Sequence, residues 1–251
     1  MFQKLTEHIF VRPAEPYTDR PNIGLIRGEN RTLLFDAGNS AANVEKLKAE
    51  LTAGGLPLPD LVAVSHWHWD HSFGMAAWGV STIAGRDTDR QLRRMGSWKW
   101  DDEAMAERVR RREDIAFCSE MIKREYPDRS KIRVTPADIV FDGCLTVELG
   151  GVTCELIHAR GPHSLDSVVC YVPEDRFLLL GDSDCKNLYG IPWHFDIGHE
   201  EDFGPATDAI PYDRELVEEF LRLLDTLDFT RCVNGHGEPM TREELYQKLE
   251  E

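Results

Sequence analysis

His66-Trp67-His68-Trp69-Asp70-His71 places four metal-capable side chains within six positions. The segment directly follows the apolar run Leu61-Val62-Ala63-Val64 and directly precedes the turn-forming Ser72-Phe73-Gly74. A short apolar run of this kind reads as a buried strand. Its carboxyl end is where layered α/β folds place ligand sites. Three imidazoles and a carboxylate are poor core material, because each carries polar atoms that need partners once buried. A divalent metal meets that need directly; a hydrogen-bonded polar turn is the alternative reading.

Outward from this segment, Ile23-Gly24-Leu25-Ile26 and Thr32-Leu33-Leu34-Phe35 read as two strands joined by a tight turn. Ser40 then caps a helix carrying Val44, Leu47 and Leu51 on one face, closed by Gly54-Gly55. From about Arg86 to Pro127 the pattern turns helical. Strands return at Leu145 to Leu149, Val152 to His158, Val168 to Val172 and Phe177 to Leu180. Asp213 caps an amphipathic helix with Leu216, Val217, Phe220, Leu223, Leu224 and Leu227, and the strand Thr230 to Asn234 delivers Gly235-His236-Gly237. Thr241 and Glu244 have capping-box spacing for a last helix. Alternating strands and helices predict a layered α/β fold. No linker marks a boundary, so residues 1–251 are expected to form a single domain.

An apolar fraction of 41% supplies an ample core, and no run approaches the roughly 20 apolar residues of a membrane span. The first residues lack an apolar stretch of signal-peptide type, and the six cysteines show no Cys-x-x-Cys pair. The expectation is a cytoplasmic protein with free thiols. A net charge of −16 argues against broad contact with nucleic acid or anionic lipid, leaving a small molecule as the expected partner. Residues 86–133 run against that field, with 14 Lys/Arg and 11 Asp/Glu.

Three further candidates sit on strand-end loops: His163 in Gly161-Pro162-His163-Ser164, Asp182 after Phe177-Leu178-Leu179-Leu180-Gly181, and His236 between two glycines. With them the chain resembles the metallo-β-lactamase-fold hydrolases, glyoxalase II among them. The H-x-H-x-D-H motif, a later His, an Asp after strand-Gly and a Gly-flanked His stand in the family's order between about Ile23 and His236. The resemblance implies an αβ/βα sandwich, two mixed β-sheets packed face to face in four layers with helices outside.

It also implies that His66, His68 and His163 hold one metal, that Asp70, His71 and His236 hold a second, and that Asp182 and a hydroxide bridge them. The donor set suits two divalent ions, zinc first, with iron or manganese as alternatives. Such a pair ionises water and clamps attacking and leaving oxygens. Two divalent ions, two aspartates and a hydroxide leave a net charge of about +1, which favours an anionic substrate. Asp70 is also the catalytic candidate, orienting the water or accepting its proton. Asp184 is the rival for Asp182, and Asp36 reads as a partner for a metal-bound imidazole. Trp67 and Trp69 are expected to pack behind the ligands. Tyr189 or His194 would donate to a developing oxyanion.

Departures narrow the group. Few residues follow His236, where glyoxalase II carries a helical glutathione-binding domain. The zinc β-lactamases of the nearest kind are secreted and place a Cys at the position of Asp182. Ribonuclease Z relatives need an RNA-handling surface, and flavin-partnered di-iron relatives place a Glu at the position of His68. The expectation is therefore a metal-dependent hydrolase of a small ester, lactone, thioester or phosphoester. A mononuclear iron dioxygenase of the persulfide-oxidising type, or a metal-bearing binding protein without turnover, are the alternatives. Two insertions, at about 86–133 and 186–212, shape the pocket. The first is read as a lid whose Arg93, Arg94 and Arg108 reach an anionic substrate, with a solvated face or a homodimer contact as the competing reading.

Overall fold

The computed structural model describes residues 1–189 and 211–250. A seven-stranded sheet runs in chain order through β1 (Gln3–Lys4), β2 (Ile9–Arg12), β3 (Ile23–Arg27), β4 (Thr32–Phe35), β5 (Leu61–Ala63), β6 (Ser81–Gly85) and β7 (Ile139–Phe141). Pairing is antiparallel from β1 to β4 and parallel from β4 to β7. A six-stranded sheet holds β8 (Cys144–Glu148), β9 (Thr153–His158), β10 (Val168–Val172), β11 (Phe177–Leu179), β12 (Arg231–Val233) and β13 (Met240–Thr241). Its order is β13-β12-β11-β10-β9-β8, with the β11–β12 pair parallel and the others antiparallel.

The sheets meet face to face. Ile9, Val11, Ile26, Leu33 and Phe35 from the first interlock with Leu156, Val168, Val172, Phe177 and Leu179 from the second. Period-2 alternation sends the intervening residues outward, where helices cover them. On one side Leu25, Leu34 and Val62 receive Val44, Leu47 and Leu51 of α1 (Ala41–Ala53). On the other, Val169, Leu178 and Cys232 receive Val217, Phe220 and Leu224 of the later helix Arg214–Leu224. Each such fully buried side chain contributes roughly 1.5–3 kcal/mol. The result is the four-layer arrangement of two mixed sheets with helices outside.

The predicted caps form. Ser40 accepts from Asn43 N at 2.9 Å, and Asp213 accepts from Glu215 N and Leu216 N. Thr241 and Glu244 exchange bonds reciprocally. All six cysteines are unpaired. Five strands were not foreseen: β1, β2, β6, β7 and β13. Three of them have only two or three residues, too few to show a period; β2 (Ile-Phe-Val-Arg) and β6 (Ser-Thr-Ile-Ala-Gly) are short stretches without apolar/polar alternation. Among the described residues no helix is long and apolar enough to cross a membrane.

After β5 the chain makes two single-turn helices, α2 (Trp69–Ser72) and α3 (Met75–Trp78). Between β6 and β7 come α4 (Arg86–Met95), α5 (Asp102–Arg110) and α6 (Ala116–Glu125). These three enclose a satellite core in which Met95, Met105, Ile115 and Met121 pack on Trp69 and Phe73. The last two helices are α7 (Arg214–Leu224) and α8 (Arg242–Glu250).

Candidate metal centre

Four backbone segments bring the predicted residues to one edge of the sandwich. His66, His68, Asp70 and His71 follow β5, Asp182 follows β11, His236 follows β12, and His163 lies on the loop from β9 to β10. Two groups of donor atoms result, each with all members within 4.8 Å of one another: His66, His68 and His163, then Asp70, His71, Asp182 and His236. Six of these residues are buried, and His236 is the one open to solvent.

Asp182 stands between the groups. Its Oδ2 lies 3.6 Å from His163 Nε2 and 3.5 Å from His236 Nε2, and its Oδ1 lies 3.5 Å from His71 Nε2. Asp70 Oδ2 lies 3.0 Å from His71 Nε2 and 3.2 Å from His236 Nε2. His68 Nδ1 and His163 Nε2 approach to 3.0 Å. Asp184, the rival for Asp182, points elsewhere, to Asn234 Nδ2 at 3.0 Å and Lys248 Nζ at 2.6 Å.

The outward ring nitrogens are held from behind. His71 Nδ1 meets Asp36 Oδ2 at 2.8 Å, and a carboxylate only accepts, so Nδ1 carries a proton and Nε2 is the nitrogen turned to the cluster. Burial opposes a charge on this ring, but Asp70, Asp36 and Asp182 outweigh it and hold the imidazole well above the ordinary histidine pKa until a cation takes Nε2. Asp36 is itself fixed in a left-handed conformation, with Oδ1 accepting from Ser65 N at 2.8 Å. His66 Nδ1 contacts Ser65 Oγ at 2.9 Å, and His163 Nδ1 donates to Lys186 O at 3.0 Å. Two glycines make room: a Cβ at Gly235 would collide with Asp182 Oδ1 and His71 Cε1, and one at Gly181 (φ 52°) would collide with Ser65.

The donor set fits a cation. His66 Nε2, His71 Nε2 and Asp182 Oδ1 are buried without a hydrogen-bond partner among the described residues, a costly state unless a metal uses the lone pairs. Burial, reinforced by the neighbouring imidazoles, holds His66 and His68 well below the ordinary histidine pKa, so both are neutral as ligands must be. Burial opposes ionisation of Asp70 and Asp182, but His71 and His236 overcome it and keep both carboxylates below their usual range.

A cleft of about 500 Å³ opens onto the cluster. His68, Asp70, His163, Asp182 and His236 form its floor, Ile115, Phe117, Leu188 and Tyr189 an apolar wall, and Lys186 and Lys248 its cations among the described residues. Tyr189, expected as an oxyanion donor, sends its hydroxyl to Cys118 Sγ (3.3 Å) and Asp114 Oδ1 (3.4 Å), while its ring stacks on His68 at 4.8 Å. His194 lies outside the described residues, as does most of the 186–212 insertion.

The structure does not bring Arg93, Arg94 or Arg108 to the cleft. Arg93 pairs with Asp89 one helical turn away at 2.7 Å, and Arg94 meets Glu113 at 3.4 Å. Arg108 is buried between Trp98 and Trp100, 4.5 and 4.7 Å from their ring centres. Local acids hold Arg93 and Arg94, and Arg108 is enclosed by aromatic faces with Nη1 donating to Lys99 O, so the 86–133 segment gives the cleft apolar side chains instead. Trp69 packs behind the floor as expected, whereas Trp67 is half-buried and faces a neighbouring groove.

Other contributors were not singled out from sequence. Asn234 Oδ1 accepts from His236 N (3.2 Å) and Gly237 N (2.6 Å), and Asn22 Nδ2 ties Asn234 O and Gly237 O at 2.7 Å. The run Asn234-Gly235-His236-Gly237 is the side-chain-capped turn that could have revealed Asn234. Asp19 lies 4.0 Å from His236 Nδ1, and burial followed by repulsion from Asp70 raises its carboxyl to about 7. Nothing in its sequence context marks it. Asp19 and Asp36 are carboxylates beside the ligands that the charge count over the ligands alone omitted.

A family model described as the Metallo-beta-lactamase superfamily matches residues 17–236. Among solved structures, the chain is similar to a metallo-beta-lactamase from Pontibacter korlensis, at 19% identity and a TM-score of 0.64, over 100% of this chain and 97% of the other. DIM-1 metallo-beta-lactamase, from a crystal exposed to ceftazidime, gives 17% identity and 0.62, with 100% and 94% covered. TMB-1 gives 15% identity and 0.63, with 99% and 94% covered. At such identities the likeness is one of fold. No protein with a curated description matches the chain.

Proposed function

The chain belongs to the metallo-beta-lactamase superfamily, and on that premise we propose that it is a metal-dependent hydrolase of a small ester, lactone, thioester or phosphoester. The observation that carries this reading is the convergence of seven His and Asp side chains into two adjacent donor groups, Asp182 of the second lying 3.6 Å from His163 of the first, with three of their buried donor atoms unsatisfied among the described residues. His66, His68 and His163 would hold one divalent ion, Asp70, His71 and His236 a second, with Asp182 serving both. Zinc suits this N/O set, with iron or manganese as alternatives. Two such ions, when bound, supply Lewis acidity and lower the pKa of water towards about 7.

The protein's own part follows from the geometry. The cleft floor exposes His68, His163 and Asp182 to a substrate, and its apolar wall excludes bulk water from the reacting bond. Asp70 lies on the cleft floor beside His71 and His236, where it can orient an attacking water or accept its proton. Asp36 fixes the tautomer of His71, and Asn234 fixes the backbone of His236. Lys186 is placed to receive an anionic group at the cleft, whereas Lys248 is held by Asp184 at 2.6 Å.

The test is metal quantification on the purified protein, followed by chromogenic lactone, thioester and phosphodiester assays before and after chelation. About two equivalents of divalent metal per chain and turnover lost on chelation and restored by zinc are expected. A metal-free protein, or oxygen uptake on a persulfide without any hydrolysis, would overturn the reading.

A further inference from the structure

A second groove of about 450 Å³ borders the same cluster. Its lining differs in kind from the cleft's: Trp67 and Leu165 offer flat apolar surface, and Gln91, Ser164 and Asn187 offer hydrogen-bonding groups. Three residues, His68, His163 and Tyr189, line both spaces. Tyr189 is the partition. Its ring lies against His68 (27° between planes) and meets Trp67 edge-on at 5.2 Å, while its hydroxyl is tied to Cys118 and Asp114 on the helical segment.

We propose that the site takes a two-armed substrate, an apolar arm in the cleft and a planar, hydrogen-bonding arm against Trp67 in the groove, with the cleaved bond at the His68–His163 edge where the two meet. The inference rests on the metallohydrolase reading and adds the shape and chemistry of the substrate to it. Two observations point the same way. A hydrolysed bond has a group on each side, and among the described residues the one edge of the cluster common to both spaces is that formed by His68 and His163, 3.0 Å apart. The partition is also fixed at both ends, so the two arms are sorted by contact with different surfaces. Cations play little part in the groove: Arg90, its one basic residue among those described, pairs with Asp87 at 2.6 Å. The groove's two carboxylates among those residues are engaged as well, Asp87 by Arg90 and Asp166 by Trp67 N, Thr88 Oγ1 and Ser164 Oγ, so the groove arm is uncharged. Trp67 is then the specificity-determining residue for one arm and Phe117 for the other.

Metal-chelating probes test this without turnover. Octanohydroxamate carries a single apolar arm; N-(para-carbamoylbenzyl)octanohydroxamate carries a second, planar and polar one. Each is titrated calorimetrically into zinc-loaded protein. The two-armed probe is expected to bind about tenfold more tightly, the scale of one good aromatic contact with a hydrogen bond. Trp67→Ala should abolish that gain and leave octanohydroxamate unchanged, Trp67→Phe should keep most of it, and Phe117→Ala should weaken both probes alike. Gln91→Ala, on a half-buried position, should remove part of the gain and carries the test if Trp67→Ala does not fold. No gain from the second arm in the native protein, or equal weakening of both probes by Trp67→Ala, overturns the two-armed site while leaving the metal centre intact. Zinc-loaded protein that binds neither hydroxamate overturns the metal centre's open-site reading, and this inference with it.

Discussion

The floor of the cleft and its helical wall both carry many ionisable residues, yet they use them in opposite ways. On the floor, imidazoles and carboxylates face one another across a few ångströms, each backed by a partner such as Asp36, Ser65 or Asn234 that aims it inward. In the wall, arginines and acids are paired along their own helices or pressed on tryptophan faces, as Arg93 with Asp89 and Arg108 between Trp98 and Trp100. What reaches the cleft from the wall is Ile115 and Phe117. Strand ends anchored in a two-sheet core can hold unsatisfied donors in place; exposed helices relax until their charges are satisfied locally. Charge concentrated in a sequence segment therefore signals chemistry only where rigid elements keep it from pairing with itself.

Removing a floor ligand is the largest perturbation on this view. Asp182→Ala should lose at least one equivalent of zinc and lower hydrolysis about 10³-fold or more, the scale of several kcal/mol that metal-ion stabilisation supplies. Metal analysis alongside initial rates checks it. Full metal retention with near-native activity would remove Asp182 from its place between the two groups.

The wall has a buried carboxylate, Asp114, whose titration separates the two regions by pH. Burial raises Asp114 from 3.8 to about 6, with the Ile115 backbone N–H, Arg108 and the Tyr189 hydroxyl opposing the shift. The folded form thus binds its proton more tightly than the unfolded chain. This group's contribution to stability is greatest below about 4 and is lost as pH rises through about 6, a change of up to about 3 kcal/mol. Asp114→Asn keeps an oxygen for Ile115 N and Tyr189 but carries no charge. Its stability relative to the native protein should be most favourable at pH 8 and decline towards pH 4, read from urea midpoints. A difference that does not vary with pH would show that Asp114 does not titrate in this range.

Second-layer support on the floor comes next. Asp36→Ala leaves His71 without the acceptor that sets its tautomer and should cost about 10- to 100-fold in metal affinity. Competition against a zinc chelator reads this directly. Asp36→Asn should recover little, because its amide oxygen is a weaker acceptor than a carboxylate. An unchanged affinity in both variants would mean that the floor does not depend on its backing partners, and the contrast with the wall would narrow.

How much was legible follows the same division. The histidine segment, Asp182 and His236 could be found because their side chains sit immediately after apolar runs, and an apolar run fixes where a strand ends. Asp36 was found for the same reason. Asp19 was not, since it occupies a left-handed turn (φ 54°) far from any motif and meets His236 only through the fold. The four-layer arrangement came from the resemblance more than from periodicity, because β5, β11 and β12 have three residues each and are buried on both faces. The arginines of the helical segment misled because composition records charge and not its partner. Asp89 and Glu113, which pair with Arg93 and Arg94, and the two tryptophans that enclose Arg108 lie within the same stretch of sequence.

The smallest expected effect therefore bears most directly on the contrast between the two regions. Arg93→Ala together with Arg94→Ala removes two exposed cations from α4 without touching the cleft lining. Their salt bridges are solvent-exposed on the arginine side, where such pairs contribute about 0–1 kcal/mol each. If the wall acts through its apolar side chains, KM for anionic and for neutral substrates should both stay within about twofold of the native values, and kcat should not move, since each twofold step is only about 0.4 kcal/mol. A lid that delivers arginines to the substrate requires instead that KM rise for anionic substrates alone, and that the rise fade with added salt as screening weakens attraction in the native protein. That selective, salt-dependent rise is the result that would return the helical segment to electrostatic duty and erase the distinction between wall and floor.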